Sequence, residues 1–163
     1  MAIEVIEVDY TNQQQAEDLA ALLNEYAKDP MGGNESLDPY VRENLAKELN
    51  KVPNAFSILC YVDKKPAAFA NCFESFSTFK CKPLINIHDI AVKYDFRGKH
   101  LSQIILDKIE YIANRRQCCK ITLEVLNGNA AAKKAYQKFG FEPYQLDGDT
   151  GNAEFWQKEL VHK

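Results

Sequence analysis

PLINIHDIAVKYDFRGKHLSQIILDKI, residues 83 to 109, carries the pattern on which the fold turns. Its first ten residues, 83 to 92, are a mostly apolar run of strand length. From Leu101 onward, Leu101, Ile104, Ile105, Ile109 and Ile112 recur at helical spacing, so one apolar face is predicted for a long helix ending near Arg116. Between strand and helix lies RGKHLS, 97 to 102. A turn feeding a helix N-terminus presents backbone N–H groups and the positive end of the macrodipole, which can hold a phosphate without any particular side chain. Arg97 and Lys99 add charge there. The spacings G-x-G-x-x-G and G-x-x-x-x-G-K-[ST] are both absent, which removes the usual dinucleotide and P-loop readings.

Outward from this centre, AFSILCYV (55 to 62) and AAFANCFESF (67 to 76), separated by DKKP, read as a hairpin of two strands. IEVIEV (3 to 8) reads as a first strand, followed by a helix on which Ala16, Leu19, Ala20, Leu23 and Tyr26 share a face. DPMGGNES (29 to 36) interrupts that pattern, and Asp38-Pro39 then looks like an N-cap followed by a first-turn proline, opening a second helix that runs to about Asn50. Downstream, KITLEVL (120 to 126) is rich in strand formers. NGNAAAKKAYQKFG opens with asparagines and closes with Lys138 and Gly140, which suit the start and end of a short helix. FEPYQL (141 to 146) and AEFWQKEL (153 to 160) are expected to close the sheet with two further strands.

Bulk properties narrow the class. A chain of 163 residues with 46% hydrophobic and 26% charged residues has the length and composition of one globular domain, expected here over 1–163. The formal net charge of −3 argues against a surface built to hold nucleic acid. MAIEVIEVDY lacks the zones of a secretory signal and no apolar run approaches the roughly 20 residues of a membrane span, so a cytoplasmic location away from membranes is expected. Cys60, Cys72, Cys81, Cys118 and Cys119 form neither an even framework nor a C-x-x-C pair, so no disulfide scaffold and no metal site is suggested, and they read as small apolar side chains.

A second constellation lies in LEVLNGNAAAKKAYQKFGF, 123 to 141, where Asn129, Ala132, Lys133 and Tyr136 fall on one helical face. Strand, R-G-K-x-L-x, long helix, LEV strand and N-x-x-A-x-x-x-Y-x-x-x-G-F together resemble the GNAT superfamily of acetyl-CoA-dependent N-acetyltransferases. The match is densest over about residues 83 to 141, and the element order of the whole chain agrees with it. The resemblance implies an α+β fold, a mixed α/β arrangement in which a central, mostly antiparallel twisted sheet of about seven strands is flanked by about four helices.

In that family the turn reads Q/R-x-x-G-x-G/A and its amides bind the pyrophosphate of coenzyme A. Arg97 matches the first position, His100 stands at the first glycine and Ser102 at the Gly/Ala. The resemblance therefore assigns Arg97, Gly98, Lys99, His100, Leu101 and Ser102 to the pyrophosphate, with amides that any residue except proline supplies. It also assigns the backbone of Ile90, Ala91 and Val92 to the pantetheine arm, and Asn129 and Ala132 to the cofactor from the following helix. Tyr136 matches the family tyrosine that gives a proton to the departing thiolate. The co-substrate implied is acetyl-CoA, with no metal, and family members are often homodimers.

His88-Asp89 is the third constellation. A primary amine is mostly protonated at neutral pH, and deprotonating it at pH 7 costs roughly 4.6 kcal/mol, so an acetyltransferase needs a base, a water relay or a desolvated pocket. Either residue can help, although neighbours on a strand point to opposite faces unless a bulge intervenes. Residues 69 to 92 further resemble the corresponding hairpin of spermidine/spermine and thialysine acetyltransferases, through Ser77-Thr78-Phe79, Pro83 and the Asp-x-x-Val ending. DPMGGNES is a candidate substrate-side lid. The expected function is transfer of acetyl from acetyl-CoA to a primary amine, of a small molecule or of a protein, by direct attack. The competing reading is a GNAT-fold module that binds acyl-CoA or a partner with weak or no catalysis, and His100 in the glycine position is what keeps that alternative open.

Overall fold

A computed structural model describes residues 1–162. The chain separates into two compact units, Met1–Leu126 and Asn127–Lys163. The first holds a five-stranded sheet in the order β1 (Ile3–Glu7), β2 (Ala55–Val62), β3 (Lys65–Ser77), β4 (Lys82–Val92) and β5 (Ile121–Leu123). The pairs from β1 to β4 are antiparallel and β5 runs parallel to β4. Helices α1 (Gln13–Lys28) and α2 (Pro39–Leu49) follow β1, and α3 (Leu101–Arg115) makes the crossover from β4 to β5. Seen this way, the fold is a mixed α/β one, as the element order led one to expect.

Local chemistry sets these boundaries. Asn12 accepts the Gln15 amide and starts α1; Asp38 accepts the Tyr40 amide ahead of Pro39 and starts α2. Asp63 and Lys64 join β2 to β3 with φ of 50° and 69°, the paired positive angles of a two-residue hairpin turn. Asp63 also accepts the Ala2 amide at 2.8 Å, tying this turn to the neighbouring strand.

Both sheet faces are covered, which is why β2 and β3 read as nearly continuous apolar runs. One face packs Leu59 and Phe69 against Val8 and against Leu19 and Leu22 of α1. The other receives α3, whose Leu101, Ile105, Leu106, Ile109 and Ile112 are fully buried. Each such side chain is worth up to about 1.5–3 kcal/mol of transfer free energy, so the stripe in the opening segment anchors the helix that ends the candidate phosphate turn.

The sheet has five strands rather than about seven. β5 is shorter than KITLEVL suggested, and its ladder with β4 stops at Ile87↔Leu123. The next residue of β4 is a bulge, which twists a strand and interrupts pairing. In the second unit, FEPYQL and AEFWQKEL meet at one isolated bridge, Gln145↔Asn152, around a turn in which Asp147 accepts the Asp149 and Thr150 amides. Alternating residues specify two faces but not a partner, Pro143 donates no backbone bond, and a two-stranded hairpin on its own is marginal. The short helix α4 (Ala130–Phe139) is present as expected. It is closed by Gly140 at φ 118°, a left-handed position that glycine fills without strain. No helix among the described residues is long and apolar enough to cross a membrane.

Candidate active site

The site is built around an irregularity in β4. Asn71 of β3 pairs with Asp89 and Cys72 pairs with Ile87, so His88 is an extra residue in the ladder. In a regular strand His88 and Asp89 would point apart; the bulge turns both to one side, with His88 Nδ1 3.4 Å from Asp89 Oδ2. Their settings differ. The His88 side chain is 67% exposed and packs edge-on to Phe73, whereas that of Asp89 is 23% exposed. Asn71, itself buried, donates Nδ2 to Asp89 Oδ2 at 3.0 Å. Burial and then the Asp89 charge raise the pKa of the Tyr26 phenol, on α1.

Past the bulge β4 continues to Val92, while β5 has already ended opposite Ile87. Ile90, Ala91 and Val92 pair with Ala70, Phe69 and Ala68 of β3 and have no strand partner on the β5 side among the described residues. That side of the strand therefore carries no β5 ladder past Ile87, and of its outward groups the Val92 carbonyl accepts from Arg97 Nε at 3.3 Å.

β4 then passes through a 3₁₀ turn, Tyr94–Phe96, into Arg97 and Gly98. Gly98 has φ 81° and His100, which caps α3, has φ 61° and ψ 26°. Two left-handed residues flanking Lys99 wind the chain tightly onto the helix. Glycine takes that conformation freely, whereas histidine is one of the few other residues found in it. The His100 side chain makes no capping bond and is exposed. The helix ladder begins with Ile104 N–H on His100 C=O at 3.3 Å, which leaves the Leu101 and Ser102 amides ahead of it at the positive end of α3.

Arg97 is engaged differently from a simple phosphate ligand. Its Nη2 lies 3.3 Å from Asp29 Oδ2, its Nε donates to the Val92 carbonyl at 3.3 Å, and its guanidinium sits 5.4 Å from the Tyr94 ring centre. Asp29 also accepts the Met31 amide; that bond, and then Arg97, hold its carboxyl below the usual range against the opposing effect of partial burial. The segment 29 to 36, read from sequence only as a candidate lid, is therefore fastened to the turn after β4. Its 3₁₀ turn, Pro30–Gly32, leaves no room for a side chain at Gly32, where a Cβ would meet the Tyr26 carbonyl oxygen at 2.0 Å.

In the second unit, Asn129 caps α4 by accepting the Ala132 amide at 3.1 Å, so two of the residues assigned to the cofactor also start the helix that carries Tyr136. The Tyr136 ring meets Phe141 at 5.9 Å.

Two residues at the His88-Asp89 pair and the turn were invisible in the sequence. Asn71 lay inside FANCF, where a lone amide in an apolar run signals a buried polar contact without naming its partner. Asp29 lay in a polar loop 68 residues from Arg97. The cysteines behave as small apolar side chains where they are buried: burial pushes the Cys60 thiol up to about 11 and raises Cys72 further. Cys81 is exposed, and Cys118 and Cys119 are half-buried.

A family model, Acetyltransferase (GNAT) family, matches residues 17–141. An uncharacterised N-acetyltransferase of Methanocaldococcus jannaschii is 29% identical over 89 residues, which cover 54% of this chain and 39% of that protein. The match thus spans about two fifths of the relative's length. Among solved structures, a ribosomal-protein-alanine N-acetyltransferase from Brucella melitensis biovar Abortus 2308 aligns over 99% of both chains, with 18% identity and a TM-score of 0.67. AAC(6')-Iy, in complex with the bisubstrate analogue CoA-S-monomethyl-acetylneamine, aligns over 98% of this chain and 100% of its own, with 15% identity and a TM-score of 0.75. At these identities the structural likeness speaks for the fold. With three quarters of its length matched by the family model, the chain belongs to the acetyltransferase (GNAT) family.

Proposed function

We propose that the protein is an N-acetyltransferase that moves the acetyl group of acetyl-CoA to a primary amine by direct attack, and that residues 1–163 act as one domain. The observation that carries the reading is the β4 bulge, which pairs His88 with Asp89 immediately before a strand edge that leads into the N-terminus of α3. The family match across 17–141 runs over the boundary between the two compact units and supports treating them as one domain.

Acetyl-CoA supplies the thioester, whose carbonyl carbon takes the amine lone pair as the C–S bond breaks. His88 is the base: with Nδ1 held toward Asp89, its Nε2 takes the proton that leaves the amine. Asp89 orients the ring and steadies the charge that forms on it. By resemblance Tyr136 gives a proton to the leaving thiolate. The Ile90–Val92 backbone binds the pantetheine arm, with Asn129 and Ala132 also lining it, and the amides of Gly98, Lys99, His100, Leu101 and Ser102 bind the pyrophosphate. Arg97 contributes positive potential from its place beside Asp29. The acceptor is a small-molecule or protein amine, the two kinds named for the structural neighbours. We further propose that the protein works in the cytoplasm and, as members of the family often do, as a homodimer.

The test is thiol release from acetyl-CoA with a panel of amines, alongside calorimetric binding of coenzyme A. His88→Ala is expected to remove the acidic limb of the kcat/KM profile, and Asp89→Asn to lower kcat while a limb remains. If neither substitution alters the limb, His88 is not the base. Absence of coenzyme A binding at millimolar concentration would reject the acetyltransferase reading in favour of a non-catalytic partner-binding module.

A further inference from the structure

The carboxylate beside His88 is the end of a longer chain of hydrogen bonds crossing one face of the sheet. Tyr10 Oη lies 2.7 Å from Ser57 Oγ, Ser57 Oγ donates to Asn71 Oδ1 at 2.6 Å, and Asn71 Nδ2 donates to Asp89 Oδ2 at 3.0 Å. Ser57 is 0% exposed and Asn71 3% exposed. The strand register explains the alignment, because Ser57, Asn71 and Asp89 are directly opposite one another on β2, β3 and β4.

The bonds have a single direction. A carboxylate accepts and does not donate, so the Asn71 amide must turn its NH₂ to Asp89 and its oxygen to Ser57. The Ser57 proton is then committed to Asn71, which leaves the Tyr10 phenol as donor to Ser57. Reversing any one link would set two acceptors face to face in a buried place, where an unmade bond is costly. Tyr10 can serve as the first donor only while protonated, and its burial raises its pKa.

We propose that Tyr10, Ser57 and Asn71 are positioning residues for the His88-Asp89 pair: they fix the Asp89 carboxylate as an acceptor at the bulge, and the carboxylate in turn holds the proton of His88 on Nδ1. The proposal rests on the reading of His88 as base, but its first consequence concerns the free protein. Imidazole left to itself prefers the proton on Nε2, which would leave no lone pair there for the amine. Other groups close to the pair are Tyr26 of α1 and Cys72 of β3, both of which sense the Asp89 charge, and the Phe73 ring against His88. The hydrogen bond to the Asp89 carboxylate comes from Asn71 rather than from these groups.

Nitrogen-15 NMR of the full chain without ligand, at a pH where His88 is neutral, reads the tautomer directly. In wild type His88 is expected to carry its proton on Nδ1; in Asn71→Ala the Nε2–H form should become the major one. Steady-state acetyl transfer should show kcat lowered roughly ten- to a hundredfold in Asn71→Ala, the loss expected for a hydrogen bond to a charged group, with KM for acetyl-CoA unchanged. Ser57→Ala and Tyr10→Phe, one and two links further out, should give smaller shifts in the same order, and they carry the test if Asn71→Ala does not fold. A His88 tautomer and kcat unchanged in folded variants would reduce the chain to a structural feature and overturn the proposal. A tautomer that responds to Asn71 in a protein without acetyl transfer would uphold the positioning chain while rejecting the function proposed above.

Discussion

His100→Gly tests how the turn before α3 is held. At φ 61° and ψ 26°, His100 sits in the left-handed region, which costs an ordinary L-residue roughly 1–2 kcal/mol. Glycine removes that penalty but gives up roughly 0.5–1 kcal/mol of extra backbone freedom on folding. The His100 side chain makes no capping bond and is exposed, so little else is lost. The balance is a gain of about 0.5–1 kcal/mol. For a domain of this size that corresponds to a melting temperature higher by about 1–4 °C in scanning calorimetry. His100→Ala, which keeps a Cβ in the left-handed region and lacks the polar side chain that tolerates it, should melt at or below wild type. For ligand binding, a turn that works through its amides should bind coenzyme A as well as wild type, or up to a few-fold better, when His100 becomes glycine. A His100 that donates to the phosphates would make both variants weaker by about ten- to a hundredfold. Calorimetric titration of the three proteins separates these cases. Tenfold weaker binding in the glycine variant, or a melting temperature below that of wild type, would refute the reasoning.

Other expectations follow from the same geometry. Tyr136→Phe should keep coenzyme A affinity within a few-fold and lower kcat about tenfold or more, since only a proton donated late in the reaction is lost; an unchanged kcat across the pH range would remove Tyr136 as the acid. Because its carboxyl is held below the usual range, Asp29 contributes stability that is present above the unfolded carboxylate pKa and lost as pH falls through the lowered folded value. Asp29→Asn should therefore flatten the acid limb of thermal stability. The same substitution releases Arg97 and should strengthen coenzyme A binding a few-fold; weaker binding would mean that Asp29 positions Arg97 rather than competing for it. In thiol titration at pH 8 without denaturant, exposed Cys81 should react promptly while buried Cys60, its thiol pushed up to about 11, and Cys72 wait for unfolding. Prompt modification of Cys60 or Cys72 would show that the α3 side of the sheet opens readily.

The sequence alone determined the elements whose signals are local. An apolar stripe from Leu101 to Ile112, Asp38-Pro39 ahead of a helix, Gly140 behind one and a polar turn between two apolar runs each specify a conformation through neighbouring residues, and each appears where it was read. The family signature was legible for the same reason, since a strand, a short turn and the helix it opens leave a compact trace in consecutive residues. What required tertiary structure were the relations between distant residues. The alternation in FEPYQL and AEFWQKEL marked two faces, yet strands exist only where a partner supplies hydrogen bonds, and one bridge formed. Whether His88 and Asp89 point together or apart depended on one extra residue in the β3–β4 register, which is decided by pairing between strands and leaves no mark in either strand alone. Asn71 meets Asp89 because three strands bring residues 57, 71 and 89 into line, and Asp29 meets Arg97 because a loop after α1 lies beside a turn after β4. Side-chain chemistry states what a residue can do; only the packed sheet decides which other residue it does it with.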